Sequence, residues 1–112
     1  MDYPFYHLII YVPLAHADAV RKALAEGGAG KIGNYDSCSF SMRGIGRFRP
    51  LEGANPAIGS VGGAEKVEEE RIEVVVPAGN SLREILRRVR AVHPYDEPAI
   101  HLLPMGDYRL LL

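Results

Sequence analysis

The sequence has one cysteine, no tryptophan and a net charge of only −1. The cysteine content and the charge each exclude some classes of protein. Cys38 is the only cysteine, so the chain forms no internal disulfide, which suits a reducing, cytoplasmic location. Thirteen Lys and Arg residues stand against fourteen Asp and Glu residues. Without a positive excess, we expect neither nucleic acid nor a membrane surface as a partner. The apolar run near the N-terminus is too short for a signal or membrane helix.

Glycine, in contrast, is abundant in one stretch. Eight of the twelve glycines lie between Gly30 and Gly63. Glycine reaches positive φ freely and lets another backbone come close, and we expect Gly33 and Gly44 to need one or the other. Interleaved apolar anchors such as Ile32 and Phe48 argue against a disordered linker. Two interpretations remain: a long hairpin with awkward turns, or a recognition loop carried on a rigid sheet.

The length of 112 residues predicts one domain spanning residues 1–112. Apolar periodicity predicts strands at Phe5–Val12, Tyr35–Met42, Glu65–Val76 and Pro98–Met105, and a helix at His16–Glu26. The pattern Ser81-Leu-Arg-Glu84 is typical of a capping box that opens a second helix, which His93-Pro94 ends.

The order β-α-β, long loop, β-α-β favours an α+β, ferredoxin-like fold: a four-stranded antiparallel sheet with two helices on one face. In this topology the loop between strands 2 and 3, the turn at 13–16 and the segment 93–97 meet at one edge of the sheet. We expect any functional site to lie there.

Residues His93, Asp96 and Glu97 offer an imidazole and two carboxylates within five positions, with His16 expected nearby. Such donors can hold a divalent cation. The pattern also fits, and somewhat favours, a helix-capping histidine followed by solvated turn residues. Cys38 has no base near it in sequence, so a nucleophilic role is not indicated and Cys38 is read as a small buried residue.

Two motifs resemble known families. GNYDSCSF (Gly33–Phe40), GxGxFxPLEGANPxIG (Gly44–Gly59) and RIEVVVP (Arg71–Pro77) resemble the insert domain of YqfO-type NGG1-interacting-factor proteins. HPYDEPAI (His93–Ile100) resembles that insert and also CutA, the divalent-cation-tolerance protein. The resemblance implies a fold shared with CutA and the PII signalling proteins, usually trimeric, in which the loop after the second strand meets ligands and partners.

The chain also departs from these families. It has no His-His pair of the kind that binds metal in the larger family, so a hydrolase label does not transfer. Ala99 stands where CutA has a glutamate. We therefore expect a non-catalytic PII/CutA-like binding or regulatory domain whose glycine-rich loop binds a small molecule or a protein. We also expect a homo-oligomer, with a trimer favoured. The alternative is a divalent-metal-handling protein or an accessory part of a YqfO-type metal-dependent hydrolase.

The candidate site residues fall in two groups. The expected ligand-binding residues are Gly33, Asn34, Tyr35, Gly53, Asn55, Pro56 and Tyr95, and the expected ligands of a divalent metal ion are His93 and Glu97.

Overall fold

The computed structural model describes residues 3–112. Met1 and Asp2, which are part of the predicted domain 1–112, lie outside the described residues. The elements in chain order are β1 (Phe5–Pro13), α1 (Leu14–Glu26), β2 (Phe40–Phe48), β3 (Glu65–Pro77), α2 (Asn80–Val92), β4 (Ile100–Met105) and a 3₁₀ turn (Tyr108–Leu111). No helix within residues 3–112 has the length and apolar character needed to cross a membrane.

The four strands form one antiparallel sheet in the order β2-β3-β1-β4. β1 is central, because β3 pairs with one of its edges and β4 with the other. Phe5, at the start of β1, lies opposite Met105 at the end of β4. Both helices pack on one face of the sheet. The predicted α+β, ferredoxin-like fold is confirmed.

The core lies between the sheet and the helices, and strand alternation explains which residues form it. Side chains on a strand point alternately to the two faces, so every second residue of β1 and β3 is buried against the helices. Fully burying one such aliphatic side chain contributes about 1.5–3 kcal/mol. The main buried residues are Leu8, Ile10, Val12, Ile72, Val74 and Val76 from the strands, and Val20, Leu24, Ile85 and Val89 from the helices.

The other face, here called the open sheet face, carries no helix within residues 3–112. Polar groups pair across its centre: His7 Nε2 lies 2.7 Å from Glu73 Oε1, and Arg71 donates to the Tyr11 hydroxyl at 3.1 Å. Large apolar side chains flank them, with Phe40 62% exposed and Leu103 50% exposed. The open sheet face is therefore partly apolar and uncovered.

β2 does not lie where the sequence predicts. We expected a strand at Tyr35–Met42, but β2 spans Phe40–Phe48, with Phe40 opposite Glu73 and Phe48 opposite Glu65. The glycines hid the strand, because Gly44 and Gly46 interrupt its apolar alternation although both are paired with β3. The glycine-rich stretch is thus a strand with a connection on each side, and the loop between β2 and β3 covers residues 49–64.

The two glycine expectations have different outcomes. Gly33 has φ 58°, so its expected positive φ is confirmed. The expectation for Gly44 is wrong, since a Cβ there would have open space and the backbone is ordinary strand.

The capping-box prediction is also wrong. α2 begins at Asn80 with Gly79 as its N-cap, and no side chain caps it. Ser81 is therefore already inside the helix, two residues past the N-cap position from which a hydroxyl could cap it. The predicted end is confirmed, because α2 stops at Val92 and His93 is extended before Pro94.

Candidate functional site

The upper edge of the sheet, where β1 ends and β3 begins, is organised around His93. Its Nε2 lies 2.7 Å from the Tyr11 carbonyl oxygen, and its Nδ1 lies 3.2 Å from the Tyr95 backbone nitrogen. A carbonyl can only accept and a backbone N–H can only donate, so Nε2 carries the proton and Nδ1 accepts. His93 is 7% exposed, and this burial lowers its pKa from the ordinary value. The ring is thus a neutral brace between β1 and the segment after α2.

Glu69 is a buried carboxylate next to this brace. It lies on β3 and is 7% exposed. The Tyr95 hydroxyl donates to Glu69 Oε2 at 2.9 Å. Burial and then the hydrogen bond to Glu69 raise the pKa of Tyr95, so the phenol keeps its proton and acts as donor. A Cβ at residue 46 would collide with the Glu69 carboxylate, so Gly46 on β2 makes the room that Glu69 occupies.

A cavity of about 560 Å³, here called the edge cavity, opens beside Glu69. It lies between the loop 49–64 and the segment 93–99. Three aromatic side chains line it: Tyr11, Phe48 and Tyr95. The Phe48 and Tyr95 rings are in tilted contact, with centroids 5.8 Å apart. Apolar loop residues complete the wall, and they include Pro50, Leu51, Pro56 and Ile58.

Two hydrogen bonds shape the loop over the edge cavity. The Gly62 N–H donates to the Pro50 carbonyl at 2.8 Å and closes the base of the loop. The Asn55 backbone N–H donates to Asp96 Oδ2 at 2.9 Å, which ties the far part of the loop to the segment after α2. The edge cavity is therefore bounded by two segments that are about forty residues apart in the chain and that, within residues 3–112, are joined by one exposed hydrogen bond.

The structure brings only part of the sequence-predicted site together. Gly53, Pro56, Tyr95 and Glu97 line the edge cavity, and Asn55 stands at its margin through Asp96. The predicted meeting of the loop with the segment 93–97 at one edge is therefore confirmed.

Gly33, Asn34 and Tyr35 lie elsewhere. They belong to a separate turn closed by mutual backbone hydrogen bonds between Ile32 and Tyr35. That connection is attached near the other end of β3, where Gly30 donates to the Val75 carbonyl. Val75 is six residues from Glu69, or roughly 20 Å along a strand. A ligand-binding role for this turn stays a prediction, and it would be a different site.

Sequence reasoning missed Glu69, Tyr11 and Phe48. Glu68-Glu69-Glu70 reads as one acidic run, although strand alternation places Glu69 on the face opposite its two neighbours. That signal separates Glu69 from the others, but its burial depends on Tyr95 and Gly46, which arrive from distant parts of the chain.

The metal prediction at His93 and Glu97 stays a prediction. Within residues 3–112, no three His, Cys, Asp or Glu side chains are grouped to hold a metal ion. Both nitrogens of His93 are hydrogen-bonded, so a metal ion would have to displace the Tyr11 carbonyl or the Tyr95 N–H.

Comparison with known proteins relates the chain to larger ones. No protein-family model matches it. It is 47% identical over 106 residues to the GTP cyclohydrolase 1 type 2 homolog of Mycobacterium leprae, and 44% identical over 102 residues to that of Bacillus subtilis. The structure of the Bacillus cereus protein related to NIF3 matches 94% of the chain at 40% identity with a TM-score of 0.80. The chain is similar to one segment of the NIF3-related proteins.

This NIF3-type segment is a small part of those proteins. The chain spans about a quarter of their length: 27% of each of the two curated relatives and 26% of the Bacillus cereus chain. CutA from Archaeoglobus fulgidus also has the fold of the NIF3-type segment, with a TM-score of 0.65 at 21% identity over 96% of this chain and 91% of that one. The expected relation is confirmed for NIF3-related proteins as similarity to one segment, and for CutA as similarity of fold.

Proposed function

We propose that the chain is a non-catalytic, PII/CutA-like domain that binds a small molecule in the edge cavity. The observation that carries the proposal is the cavity itself, in which aromatic and apolar walls surround one buried, hydrogen-bonded carboxylate. Small-molecule sites typically have volumes of about 300–1,000 Å³ and this mixture of apolar lining with a few fixed polar groups. Gly53, Pro56 and Tyr95, expected to bind ligand, lie in the wall.

The position of the edge cavity supports a regulatory role. A ligand there would contact both the loop 49–64 and the segment 93–99, which otherwise meet through the Asn55–Asp96 hydrogen bond. A ligand changes a conformational equilibrium only as far as it binds one state better than another. A molecule that bridges both walls favours the closed loop, and the outer surface of that loop is what a protein partner would meet.

The buried polar groups support binding rather than catalysis. His93 has no free nitrogen with which to transfer a proton, and the raised pKa of Tyr95 keeps its phenol protonated. Cys38 contacts the Asp36 carbonyl through Sγ, which activates no thiolate.

The proposal is tested by filling the edge cavity. Ala57 lines it, whereas Ala91 is exposed on α2 and lies outside it. We would record ¹H–¹⁵N spectra of the wild type, Ala57→Leu and the control Ala91→Leu with a mixture of fragment-sized compounds. Native mass spectrometry of each protein would report any retained ligand. We expect shifts near Tyr95 and Gly46 in the wild type and the control, and their loss in Ala57→Leu. Shifts unaffected by Ala57→Leu would contradict a ligand site here.

We further propose that the chain forms a homotrimer in the cytoplasm. The open sheet face exposes Phe40, Met42 and Leu103, and Leu110–Leu112 are also strongly exposed. Exposed large apolar side chains on a sheet face without a helix support an interaction site in a soluble protein. A single cysteine, Cys38, without a disulfide partner in the described chain fits the proposed compartment.

Similarity to one segment of larger proteins supports a second candidate function. In it, the chain is an accessory part of a metal-dependent enzyme of the NIF3-related kind. Size-exclusion chromatography of the chain mixed with a NIF3-related protein that lacks this segment tests the idea. Co-elution would support it, and separate elution at tens of micromolar would reject it.

A further inference from the structure

We infer that the edge cavity takes a small organic cation with planar N–H donors, of the amidine or guanidine class, and that the Glu69 carboxylate receives it. The inference rests on the proposed function, since it names the chemistry of the ligand in the same cavity. It stands on three features: the hydrogen bonding of Glu69, the charges around the cavity and its aromatic wall.

Glu69 has an unused acceptor at the cavity. The side chain is more than nine-tenths buried and lines the cavity. Oε2 accepts from the Tyr95 hydroxyl, whereas Oε1, which lies against Gly46, accepts no hydrogen bond from residues 3–112. Within residues 3–112, Oε1 is not one of the fully buried polar atoms that lack a partner, so it is accessible, and Glu69 lines the edge cavity. A ligand N–H in the edge cavity can therefore donate to Oε1, and a charged donor does so with a stronger hydrogen bond.

Within residues 3–112, no Lys, Arg or His side chain forms an ion pair with Glu69. Arg71 follows two residues later on the same face of β3, but it is engaged by Glu73 and by the Tyr11 hydroxyl. Arg47 and Arg49 line the cavity and are exposed, and neither forms an ion pair with any residue in 3–112.

The charges around the cavity favour a cation. Three acidic residues, Glu69, Asp96 and Glu97, and two basic residues, Arg47 and Arg49, line the edge cavity. Solvent screens the charges of the exposed groups at the mouth of the edge cavity. The charge of the buried Glu69 therefore dominates the electrostatic potential inside the cavity.

The wall of the cavity suits the flat body of such a ligand. The rings of Phe48, Tyr95 and Tyr11 line the space beside Glu69. Aromatic faces attract organic cations, most strongly where water is excluded. The N–H edge of a planar amidinium can therefore contact the Glu69 carboxylate while its apolar part packs against the aromatic rings.

The experiment uses three probes of nearly identical shape: benzamidine, which is cationic with two N–H edges; benzamide, which is neutral; and benzoate, which is anionic. Each is titrated into the full chain and followed by ¹H–¹⁵N spectra. The variants are Glu69→Gln, which keeps an acceptor for Tyr95, and the control Glu68→Gln, which changes the neighbouring exposed glutamate. We expect benzamidine to bind most tightly, with shifts at Gly46 and Tyr95. Glu69→Gln should weaken it at least tenfold, whereas Glu68→Gln should not.

Failure of this inference and failure of the proposed function look different. Benzamide or benzoate binding at Gly46 and Tyr95 as tightly as benzamidine would overturn the cation while keeping the cavity as a ligand site. Benzamidine binding that is equal in wild type and Glu69→Gln would do the same. No shifts with any probe, together with no ligand retained after native purification, would overturn both. The comparison among probes needs only the wild type, so it decides the question even if Glu69→Gln does not fold.

Discussion

His93 illustrates how one residue can couple the upper edge of the sheet to pH. Burial holds its pKa below the ordinary value of 6.5. As the pH falls through about 6.5, the unfolded chain takes up a proton that the folded chain does not. The free energy of unfolding should therefore fall from pH 7.5 towards the lowered pKa of the folded state.

This dependence can be assigned to His93 with urea unfolding at pH 7.5 and 5.5. The wild type and the control His101→Gln, which changes an exposed histidine, should lose stability on acidification. His93→Gln should lose less, because the group that titrates differently in the two states is gone. An identical loss in all three proteins would contradict the role given to His93.

Metal binding at His93 is expected to be weak or absent, because both ring nitrogens are already hydrogen-bonded. Calorimetric titration of zinc, manganese and copper into wild type and His93→Ala measures it. Copper is the hardest control, since imidazole sites favour it among divalent first-row metals. Affinity tighter than about 1 μM for a metal other than copper, abolished by His93→Ala, would favour the metal-handling alternative.

Gly46 and Gly44 form a matched pair two residues apart on one face of β2. A Cβ at position 46 would collide with the Glu69 carboxylate, while position 44 has open space. Gly46→Ala should displace Glu69 from Tyr95 and lower the free energy of unfolding by about 1–3 kcal/mol, the cost of disturbing a buried polar pair. Gly44→Ala should change it by less than about 1 kcal/mol. Equal effects in urea unfolding would mean that room for Glu69 is not what Gly46 provides.

At the residue scale, sequence reasoning succeeded where the signal is local. The positive φ of Gly33 and the helix end at His93-Pro94 depend on neighbouring residues, and both were predicted. The role of Gly46 depends on Glu69 across the β2–β3 pairing, and that of Glu69 depends on Tyr95. Contacts of this kind between distant parts of the chain leave no pattern in one sequence.

At the scale of elements, the loop 49–64 is expected to depend on its contact with Asp96. Asp96→Ala removes the acceptor of the Asn55 N–H, whereas Glu97→Ala changes an adjacent exposed carboxylate that receives no hydrogen bond from residues 3–112. Hydrogen exchange at the Asn55 amide should become faster in Asp96→Ala and stay unchanged in Glu97→Ala, because exchange reports local opening.

The same measurement has a clear contrary result. If Asn55 exchanges as fast in wild type as in Asp96→Ala, the contact does not hold the loop, and the cavity would be open in solution. Melting temperatures should be similar for all three proteins, since an exposed contact contributes little to global stability.

Element order was predictable, and the position of β2 was not. Apolar strands and helical spacing gave β1, α1, β3, α2 and β4 nearly in place. β2 was misplaced because its apolar residues alternate with two glycines, a pattern typical of a loop. Pairing with β3 makes Phe40–Phe48 a strand despite its composition. The tertiary context therefore determined the position of β2, and the local sequence preference did not.

At the scale of the whole molecule, the proposed trimer depends on the open sheet face. Leu103→Lys should shift the light-scattering mass towards the monomer, since burying an unpaired charge in an apolar interface is costly. Val61→Lys is the control, because Val61 is equally exposed but lies on the loop 49–64. A monomeric wild type at micromolar concentration would reject the trimer. Dissociation by both variants would place the interface elsewhere.

The pairing of Phe5 with Met105 has a consequence for how this unit can be combined with others. Opposed residues of an antiparallel pair have Cα atoms about 5 Å apart, so the polypeptide enters and leaves the sheet at nearly the same point. A unit with that geometry can be spliced into a surface turn of a host protein without separating the two sides of the turn. Such a unit can be inserted as a whole into different host proteins during evolution. The edge cavity lies at the opposite end of the sheet and is not disturbed by the insertion.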